Sequence, residues 1–501
     1  MSVIRKYMVE AAVFGCGAVV MVYEIVGSRV IAPYIGTSTY TWTSLIGVIL
    51  AALSLGYWLG GKWADRNAKV TVLAAVIFFA GGMVAVTVLV KEPVLSVLSS
   101  ASMPIEAASV AAAILLFAPA SVLLGIVAPY AVRLSVEDIE HTGRTVGRLY
   151  ALSTIGSITG TFLAGFVLIP FVGTNRTLYI LAASLFSISV AIAPLAAERA
   201  KVALLVIFVL GIAFNEGYSL LLNATINYHD IDTEYNRVRI FDTVKNGRPL
   251  RAMSIDPYIY QSSIYLDTGE SGASYMRYFG LASHFNPGFE RSLIIGGAGY
   301  GFPQKYLKDY PNSTIEVVEI DPGMTKLAKK HFNLRDDPRL KSIHLDGRVF
   351  LNKGKSKTYD VVFIDAFNSL FSIPFQMTTI EAVVEIRRVL KEDGVVVVNI
   401  GSPVTGDGSR FLAAEEATYG TVFKNVRLFK VNPDKPDGMI QNVILIASEE
   451  PLPLRSSDQE MDEMLQTAVR GPRPESRILT DDLAPVEQMI SIAQSRYSGA
   501  R

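Results

Sequence analysis

The pattern of hydrophobic and polar positions divides this chain of 501 residues into two parts. Up to about residue 222, apolar runs of membrane-spanning length alternate with short polar segments. Beyond that point the apolar runs are short, and they end in glycine or in a polar residue. A chain of this length is expected to hold two or more domains.

The first part contains seven windows that are long and apolar enough to cross a bilayer as helices. They lie at about 8–32, 42–64, 70–90, 105–130, 146–170, 177–195 and 202–222. In the seventh window the apolar core Val202–Phe214 is short, and Asn215-Glu216 follows it directly. That window is therefore either a seventh crossing or an interfacial or re-entrant segment. The pattern predicts an α-helical multi-pass membrane domain over residues 1–222, with about seven helices.

Positive charge is concentrated at the N-terminus and in alternate loops, although residues 1–222 hold only 13 of the 46 Lys and Arg. The positive-inside rule then places the N-terminus in the cytoplasm. Seven full crossings would place the second part outside, where nucleoside cofactors are not normally found. We therefore expect one crossing fewer or one more, and a cytoplasmic second part in a protein of the cell (inner) membrane.

Two ionisable residues, Glu24 and Arg29, lie within or at the edge of the first window. Such groups are costly at membrane depth and usually face a protein interior or a wet cavity. One interpretation is a structural pair. The other is a polar pocket that binds a lipid head group or an amine, which makes both residues candidates for substrate binding and membrane lipids expected partners.

The second part begins with segments of partly alternating hydrophobicity, which predict a small antiparallel β unit over residues 223–270. The segments are Tyr235–Asp242, Leu250–Asp256 and Ile259–Leu266, with a tight-turn signal at Asn246-Gly247 between the first two. A helix over Ser271–His284 is expected to follow.

Five short, continuous apolar runs then predict parallel strands buried on both faces of a sheet. They fall within 292–301, 315–321, 343–347, 359–367 and 394–400. A helix at Gly408–Tyr419 and two strands, Val426–Val431 and Asn442–Ala447, complete the pattern. Residues 271–501 are thus predicted to form an α/β Rossmann-like domain of the methyltransferase type with seven strands.

The residues after the first three strands predict a nucleoside site, because ligands of such sheets bind beyond the carboxyl ends of the strands. The first strand leads into a glycine-rich turn at a helix N-terminus, with Gly296, Gly297, Gly299 and Gly301. Glu319 ends the second strand, where an acidic side chain takes ribose hydroxyls. Asp346 and Gly347 end the third, where a carboxylate can accept a hydrogen bond from an adenine amino group. Three unrelated strand-terminal turns are the alternative.

Asp365 ends the fourth strand and is suited to remove a proton from an attacking amine, so it is the candidate general base. Its alternative role is a helix cap. Asn399 ends the fifth strand and either orients the acceptor or meets water. Asp481 lies in Leu479–Pro485, which either caps a final helix or borders the acceptor pocket.

Charge, cysteine and histidine content exclude other classes of site. The net charge is zero and no block of basic residues is present, so no nucleic-acid partner is expected. The one cysteine, Cys16, excludes a disulfide within the chain. The five histidines are scattered without ligand spacing, and no metal site is expected.

From about Glu234 to Asn399 these residues resemble the spermidine/spermine synthases. The membrane half resembles the bacterial proteins that fuse such a domain to membrane helices, so the resemblance covers most of the chain. The resemblance implies transfer of an aminopropyl group from decarboxylated S-adenosylmethionine to an amine. It further implies that Glu319 binds the donor ribose, Asp346 the adenine, and that Asp365 is the general base. Tyr235 and Gln261 match two motifs of the family, which makes them candidates for substrate binding.

The chain departs from the family pattern at three places. Gly299 stands where the family has an Asp that holds the donor's amine, and Ser274-Tyr275-Met276 stands where it has Tyr-His-Glu. Asn368, a further candidate for substrate binding, replaces the second acidic residue of the loop after Asp365. Each lost charge-assisted contact is worth roughly 1.5–3 kcal/mol, so free putrescine is not the expected acceptor.

Three hypotheses follow. The first is a membrane-bound aminopropyltransferase-like enzyme that uses decarboxylated S-adenosylmethionine, no metal, and an amine or lipid head group as acceptor. The second is an S-adenosylmethionine-dependent methyltransferase. The third is a transporter or sensor whose soluble domain only binds a nucleoside or polyamine. A homo-oligomer is compatible with all three.

Overall fold

The computed structural model of the chain describes residues 3–101, 103–136, 141–193, 199–255, 260–366, 373–469 and 476–490. The chain divides into two compact units. A helical unit comprises Met1–Thr225 with Ile231–Thr233, and an α/β unit comprises Ile226–Asp230 with Glu234–Arg501.

The helical unit is built from eight α-helices and one π-helical segment within the part of the chain that is described. The helices are α1 Val3–Ile35, α2 Thr39–Arg66, α3 Val70–Ser100, α4 Ile105–Leu116, α5 Ala118–Ser135, α6 Thr142–Leu163, α7 Thr174–Ile192 and α8 Arg199–Ile226, and the π-helix Ala164–Val172 directly follows α6. Among the described residues, six helices are long and apolar enough to cross a membrane. They are Tyr7–Ile35, Thr39–Arg66, Val70–Ser100, Ala118–Ser135, Thr142–Val172 and Thr174–Ile192.

Two of the seven predicted windows differ from these helices. The window at 105–130 is interrupted at Phe117, between α4 and α5. Pro119 lies in the first turn of α5, where its missing N–H costs no hydrogen bond. The seventh window lies in α8, which stays helical through Asn215 and passes the predicted domain boundary at 222. Its apolar portion, Lys201–Ala213, is a shorter helix, so a seventh crossing stays a prediction.

Glycines of α1 and α6 let these two helices pack at backbone contact. A Cβ atom on Gly156 would lie 2.1 Å from the Phe14 carbonyl oxygen, and one on Gly160 would lie 2.3 Å from that of Ala18. Glu10 of α1 also forms an ion pair with Arg148 of α6, at 2.6 Å. The helix pair is therefore fixed by small residues along its length and by one charge pair.

The α/β unit starts with a sheet of four strands in the order β1-β2-β3-β4. The strands are β1 His229–Asp232, β2 Arg237–Lys245, β3 Arg248–Ser254 and β4 Ser262–Tyr265. Strands β2 and β3 form the predicted hairpin: Asn246 and Gly247 both have positive φ, +52° and +75°. Such a two-residue turn matches the twist of the flanking strands. Strand β1 was not predicted. Residues 256–259, which include the last residue of the second predicted segment and the first of the third, lie outside the described residues.

The large sheet has the predicted seven strands, in the order β10-β11-β9-β8-β5-β6-β7. They are β5 Arg291–Ile295, β6 Thr314–Val318, β7 Leu340–Ile343, β8 Tyr359–Ile364, β9 Leu390–Ser402, β10 Asn425–Lys430 and β11 Gln441–Ser448. Five adjacent strands are parallel: β9, β8, β5, β6 and β7. Beyond β9, β11 pairs antiparallel with β9, and β10 pairs antiparallel with β11. The predicted Rossmann-like fold with a preceding antiparallel β unit is thus confirmed.

Helices connect the strands of this sheet, and two of the predicted helices differ from those in the structure. The helices are α9 Leu281–Phe285, α10 Gly301–Asp309, α11 Pro322–His331, α12 Gly347–Lys353, α13 Ile380–Val389, α14 Arg410–Gly420 and α15 Gln459–Leu465. The helix predicted over Ser271–His284 is instead a 3₁₀ helix, Ser274–Gly280, followed by α9. The tail helix predicted from Gly408 starts as α14 at Arg410, after a 3₁₀ turn.

Candidate functional site

The glycine turn after β5 is held by Glu319, which follows β6. The Glu319 carboxylate is buried and accepts hydrogen bonds from the backbone N–H groups of Gly297 (2.8 Å), Ala298 (3.0 Å) and Asp321 (3.0 Å). Burial raises the pKa of this carboxyl, while the three backbone donors oppose the rise. A carboxylate offers about four acceptor positions, so one is left for a ligand hydroxyl.

The turn itself has a strained backbone, of the kind that clusters at ligand sites. Ala298 and Tyr300 have φ of +43° and +58°, which non-glycine residues seldom adopt. Gly296 has φ +101°, and a Cβ there would lie 2.3 Å from the Asp365 carbonyl oxygen. Glycine at this position brings the β5 turn into direct contact with the end of β8. Gly301, the last glycine of the turn, begins α10.

Gly299 is in contact with Ser262, a residue of β4 that sequence analysis did not single out. The Gly299 N–H donates to the Ser262 hydroxyl at 2.9 Å. A Cβ on Gly299 would lie 2.6 Å from Ser262 Cβ and 2.8 Å from its hydroxyl oxygen. The buried Ser262 fills the space that a side chain at position 299 would need. The family's aspartate would therefore not fit at this position.

Asp346 and Gly347 lie after β7, as expected for the third strand end. One Asp346 oxygen accepts from the Val349 N–H at 3.0 Å and so caps α12. This is the only side-chain hydrogen bond that Asp346 makes within the described parts of the chain. A Cβ on Gly347 would lie 2.6 Å from Ile295, so α12 packs closely on β5. The predicted adenine contact stays a prediction.

Asp365, directly after β8, is enclosed by two side-chain donors. Tyr275 donates its hydroxyl to Oδ2 at 2.8 Å, and the Asn399 amide donates to Oδ1 at 3.0 Å. Burial raises the pKa of Asp365, and these two hydrogen bonds act against the rise. Asn442 of β11 in turn donates to the Asn399 oxygen at 2.9 Å.

Besides Ser262, two further site residues were not predicted from the sequence, Tyr275 and Asn442. Tyr275 was read only as part of a lost motif, yet its hydroxyl reaches the candidate base. Asn442 was read only as the start of a tail strand. Tyr275 could have been identified from its position in the segment where the family has Tyr-His-Glu. The contact of Asn442 depends on strand order, which a single sequence does not reveal.

Tyr235 and Gln261 flank this region from the small sheet. Tyr235 is exposed, and its neighbour Asn236 donates to Asp321, the cap of α11, at 3.2 Å. Gln261 is half-buried and its N–H donates to the Met253 carbonyl oxygen, directly before β4. The structure thus brings Tyr235 beside the turn after β6 and Gln261 beside Ser262. Their contacts with a substrate stay predictions.

Asp481 is held by residues of the α/β unit. Its carboxylate forms an ion pair with Arg348 at 2.9 Å and accepts from the Thr379 hydroxyl at 2.6 Å. Arg348 lies in α12, and Thr379 caps α13. These contacts tie the C-terminal segment to α12 and α13, and the proposed contact of Asp481 with an acceptor stays a prediction.

The remaining candidates lie elsewhere. Asn368 is outside the described residues. Glu24 and Arg29 lie on α1 in the helical unit, and both side chains are half-buried. Within the described chain, no group of three or more His, Cys, Asp and Glu is placed to hold a metal ion.

Residues 274–444 match the family model described as "Spermine/spermidine synthase domain". A polyamine aminopropyltransferase of Vibrio vulnificus is 31% identical over 188 residues, which are 37% of this chain and 59% of the relative. A probable polyamine aminopropyl transferase of Bifidobacterium longum is 34% identical over 223 residues, 39% of this chain and 48% of the relative. The chain therefore spans about half of the length of these curated relatives.

A longer match is with polyamine aminopropyltransferase 1 of Streptomyces coelicolor, 25% identical over 440 residues. It covers 79% of this chain and 76% of the relative. Among solved structures, a probable spermidine synthase from Corynebacterium glutamicum aligns with a TM-score of 0.41 and 22% identity, over 47% of this chain and 85% of that one.

Proposed function

Residues 274–444 of this chain form a spermine/spermidine synthase domain, and from that premise we propose that the protein is a membrane-bound aminopropyltransferase-like enzyme. It moves an aminopropyl group from decarboxylated S-adenosylmethionine to an amine or to the head group of a membrane lipid. The observation that carries the proposal is the half-buried Asp365 carboxylate, hydrogen-bonded by Tyr275 and Asn399 beside the glycine turn.

The residues present fit a nucleoside donor at the carboxyl ends of β5, β6 and β7. The glycine turn lies at the N-terminus of α10, and Glu319 keeps one acceptor position for a ribose hydroxyl. Asp346 has an oxygen available for an adenine amino group. The donor, when bound, supplies a sulfonium whose leaving group is a neutral thioether.

Asp365 serves as the general base in this proposal. As the acceptor nitrogen forms a bond to the aminopropyl carbon, the carbon–sulfur bond breaks and the nitrogen's proton passes to an Asp365 oxygen. A carboxylate whose pKa is raised by burial is a stronger base than a solvated one. The hydrogen bonds from Tyr275 and Asn399 keep it ionised and aimed before the reaction.

The helical unit supports a proposal for the location of the enzyme and for its acceptor. Six helices of membrane-spanning length and composition precede the α/β unit, and positive charge favours a cytoplasmic N-terminus. The match with the Streptomyces coelicolor protein covers 79% of this chain and so takes in more than the α/β unit. We infer an inner-membrane enzyme with a cytoplasmic catalytic unit, whose acceptor amine reaches it from the lipid phase. Glu24 and Arg29 are the candidate contacts for that acceptor in the helical unit.

An S-adenosylmethionine-dependent methyltransferase is the second candidate. Gly299 carries no acidic side chain to repel the carboxylate of that donor, and Ser262 fills the space. A relative named eEF1A lysine and N-terminal methyltransferase, from Xenopus laevis, is 39% identical over 95 residues, 17% of this chain and 14% of the relative. A transporter or sensor that binds a nucleoside or polyamine without reaction is the third.

Mass spectrometry of polyamines and lipids from cells that lack the protein, that express it, or that express Asp365→Asn separates these candidates. The proposal expects a product heavier than its acceptor by one aminopropyl group, present only with the unsubstituted protein. A mass increase of one methyl group supports the methyltransferase. Uptake or sensing that survives in Asp365→Asn, without any covalent product, supports the third candidate and contradicts the proposal.

A further inference from the structure

The amide of Asn442 lies one hydrogen bond beyond the groups that touch Asp365. Asn442 Nδ2 donates to Asn399 Oδ1 at 2.9 Å, and Asn399 Nδ2 donates to Asp365 Oδ1 at 3.0 Å. We propose that Asn442 is a positioning residue that fixes the orientation of the Asn399 amide and thereby keeps Asp365 competent as a base. This role of Asn442 rests on the function proposed for Asp365, and it adds a residue of β11 to those that determine the basicity of Asp365.

The direction of each hydrogen bond is dictated by chemistry. An ionised carboxylate only accepts, so Asn399 must turn its NH₂ group toward Asp365. The Asn399 oxygen then points the other way and needs a donor. Asn442 supplies that donor, so the three side chains form a chain in which every member has one permitted orientation.

The strand register places these side chains together. Ile364, before Asp365, pairs with Val398, before Asn399, in the parallel β8–β9 pair. In the antiparallel β9–β11 pair, Asn399 lies opposite Ile444, two residues from Asn442 and therefore on the same face of the sheet. The residue directly opposite Asn442 is Gly401, which has no side chain to obstruct the contact.

Without Asn442, the Asn399 amide loses the partner that distinguishes its two orientations. Rotation by 180° would then place the Asn399 oxygen against an Asp365 oxygen, an arrangement that is favourable only when Asp365 is protonated. Tyr275 would remain as the one side-chain donor to Asp365 within the described residues. The predicted consequence is a base that stays protonated to a higher pH.

The variant Asn442→Asp tests this directly, because it has nearly the same shape and accepts where Asn442 donates. The Asn399 amide is expected to turn its NH₂ group toward position 442 and its oxygen toward Asp365. Asn442→Leu, which removes the donor without adding charge, is expected to act in the same direction with a smaller effect. It also keeps the inference testable if the aspartate variant does not fold.

The measured quantity is the pH at which Asp365 is half protonated in the full-length protein. Infrared difference spectroscopy of the carboxyl group monitors this titration, with Asp365→Asn as the blank. The midpoint is expected to rise by about one pH unit in Asn442→Asp, which corresponds to a tenfold change in the protonation equilibrium. Asn425→Asp is the matched control, since Asn425 lies on β10 and bonds the Glu449 carbonyl oxygen. It is expected to leave the midpoint unchanged.

A double-mutant cycle with Asn399→Leu separates positioning from the direct effect of a new charge. If Asn442 acts through Asn399, the shift caused by Asn442→Asp is largely lost in the Asn399→Leu background. An equal shift in both backgrounds, or no shift in either, overturns the inference. The titration requires neither donor nor acceptor, so a protein that shows the shift but transfers no aminopropyl group would overturn the proposed function alone.

Discussion

Two strand ends on either side of β5 in the large sheet hold their carboxylates with different kinds of hydrogen-bond donor. Glu319, after β6, receives all three of its hydrogen bonds from backbone N–H groups. Among the described residues, Asp365, after β8, receives two hydrogen bonds, and both donors are side chains, Tyr275 and Asn399. Burial raises the pKa of both carboxyls.

The difference separates a carboxylate that shapes the site from one that reacts in it. Backbone donors persist through every substitution except one to proline, so Glu319 fixes the conformation of the glycine turn. Side-chain donors can be exchanged one at a time, so the basicity of Asp365 is adjustable. We therefore expect changes at the β6 end to alter folding and donor binding, and changes at the β8 end to alter the chemical step and its pH dependence.

The largest effect is expected from Asp365→Asn, which removes the base and preserves the shape of the side chain. Turnover should fall by about 10²- to 10⁴-fold, the usual contribution of a positioned base. Donor affinity, measured by calorimetry on the full-length protein, should change little. A large loss of donor affinity with residual turnover would instead give Asp365 a binding role and would contradict the proposed difference between Asp365 and Glu319.

Glu319→Gln should produce the reverse pattern. A glutamine oxygen satisfies only part of the backbone donors at this position, and its NH₂ group faces another N–H. One buried N–H left without a partner costs about 1–3 kcal/mol, so the thermal midpoint and the donor affinity should both fall. Glu316→Gln in the middle of β6 is the control, since Glu316 bonds Arg291, Lys341 and Tyr359 and not the glycine turn. An unchanged donor affinity in Glu319→Gln would contradict the assignment.

Gly299→Ala tests whether the small sheet supports the glycine turn. The new Cβ would lie 2.6 Å from Ser262 Cβ, and such overpacking costs typically about 1–3 kcal/mol. Ser262→Gly in the same chain should recover part of the lost stability in a denaturation experiment. Gly420→Ala, where nothing lies within 4 Å of the new atom, is the control. If Gly299→Ala lowers the stability equally with and without Ser262→Gly, Ser262 is not the residue that obstructs the new Cβ atom.

Tyr275→Phe is expected to act on the β8 end alone. Loss of the hydroxyl removes a hydrogen bond that lowers the pKa of Asp365, so that pKa should rise. The acid limb of the rate profile should move to higher pH, with about a tenfold loss of rate per unit below the midpoint. Tyr278→Phe, a buried neighbour, is the control. A uniform loss at all pH values would point to a structural role for Tyr275.

The smallest effect concerns His331, which ends the helix that follows Glu319. Burial, His229, Lys330 and Arg251 lower the pKa of His331 to about 4, while Asp242 opposes the shift. Because the unfolded value is 6.5, the unfolded chain binds more protons between about pH 6.5 and pH 4. Stability is therefore full above that window and falls as the pH drops through it.

His331→Asn should flatten this loss by about 1 kcal/mol between pH 7 and pH 5, measured by denaturation at both values. His284→Asn is the control, because the His284 side chain lies at the surface and bonds only the Pro453 carbonyl oxygen among the described residues. An identical pH dependence for His331→Asn and the unsubstituted protein would contradict the assignment.

The seven strands of the large sheet and the positions of Glu319 and Asp365 at strand ends were predictable from the sequence, because each depends on local pattern. A buried strand is a short apolar run, and the polar residue that ends it lies at the ligand edge. The hairpin at Asn246-Gly247 was predictable for the same reason, since its turn residues are adjacent.

The partners of Asp365 depend on contacts across long separations, and these were not predictable. Tyr275 lies 90 residues before Asp365, and Asn442 lies 43 residues after Asn399. Both reach the site only because β11 pairs with β9 and because the 3₁₀ helix after the small sheet packs against the large one. The break at Phe117 was missed because hydropathy does not register a local interruption of a helix.

The most direct test of the central claim is a labelling experiment on the full-length protein in membranes that contain natural lipids and polyamines. Decarboxylated S-adenosylmethionine carries deuterium in its aminopropyl chain, and a parallel sample carries it in the methyl group. We predict that the aminopropyl label enters an amine or lipid with equimolar release of the methylthio nucleoside, and that Asp365→Asn abolishes both. Transfer of the methyl label instead, or no transfer of either label, would contradict the account.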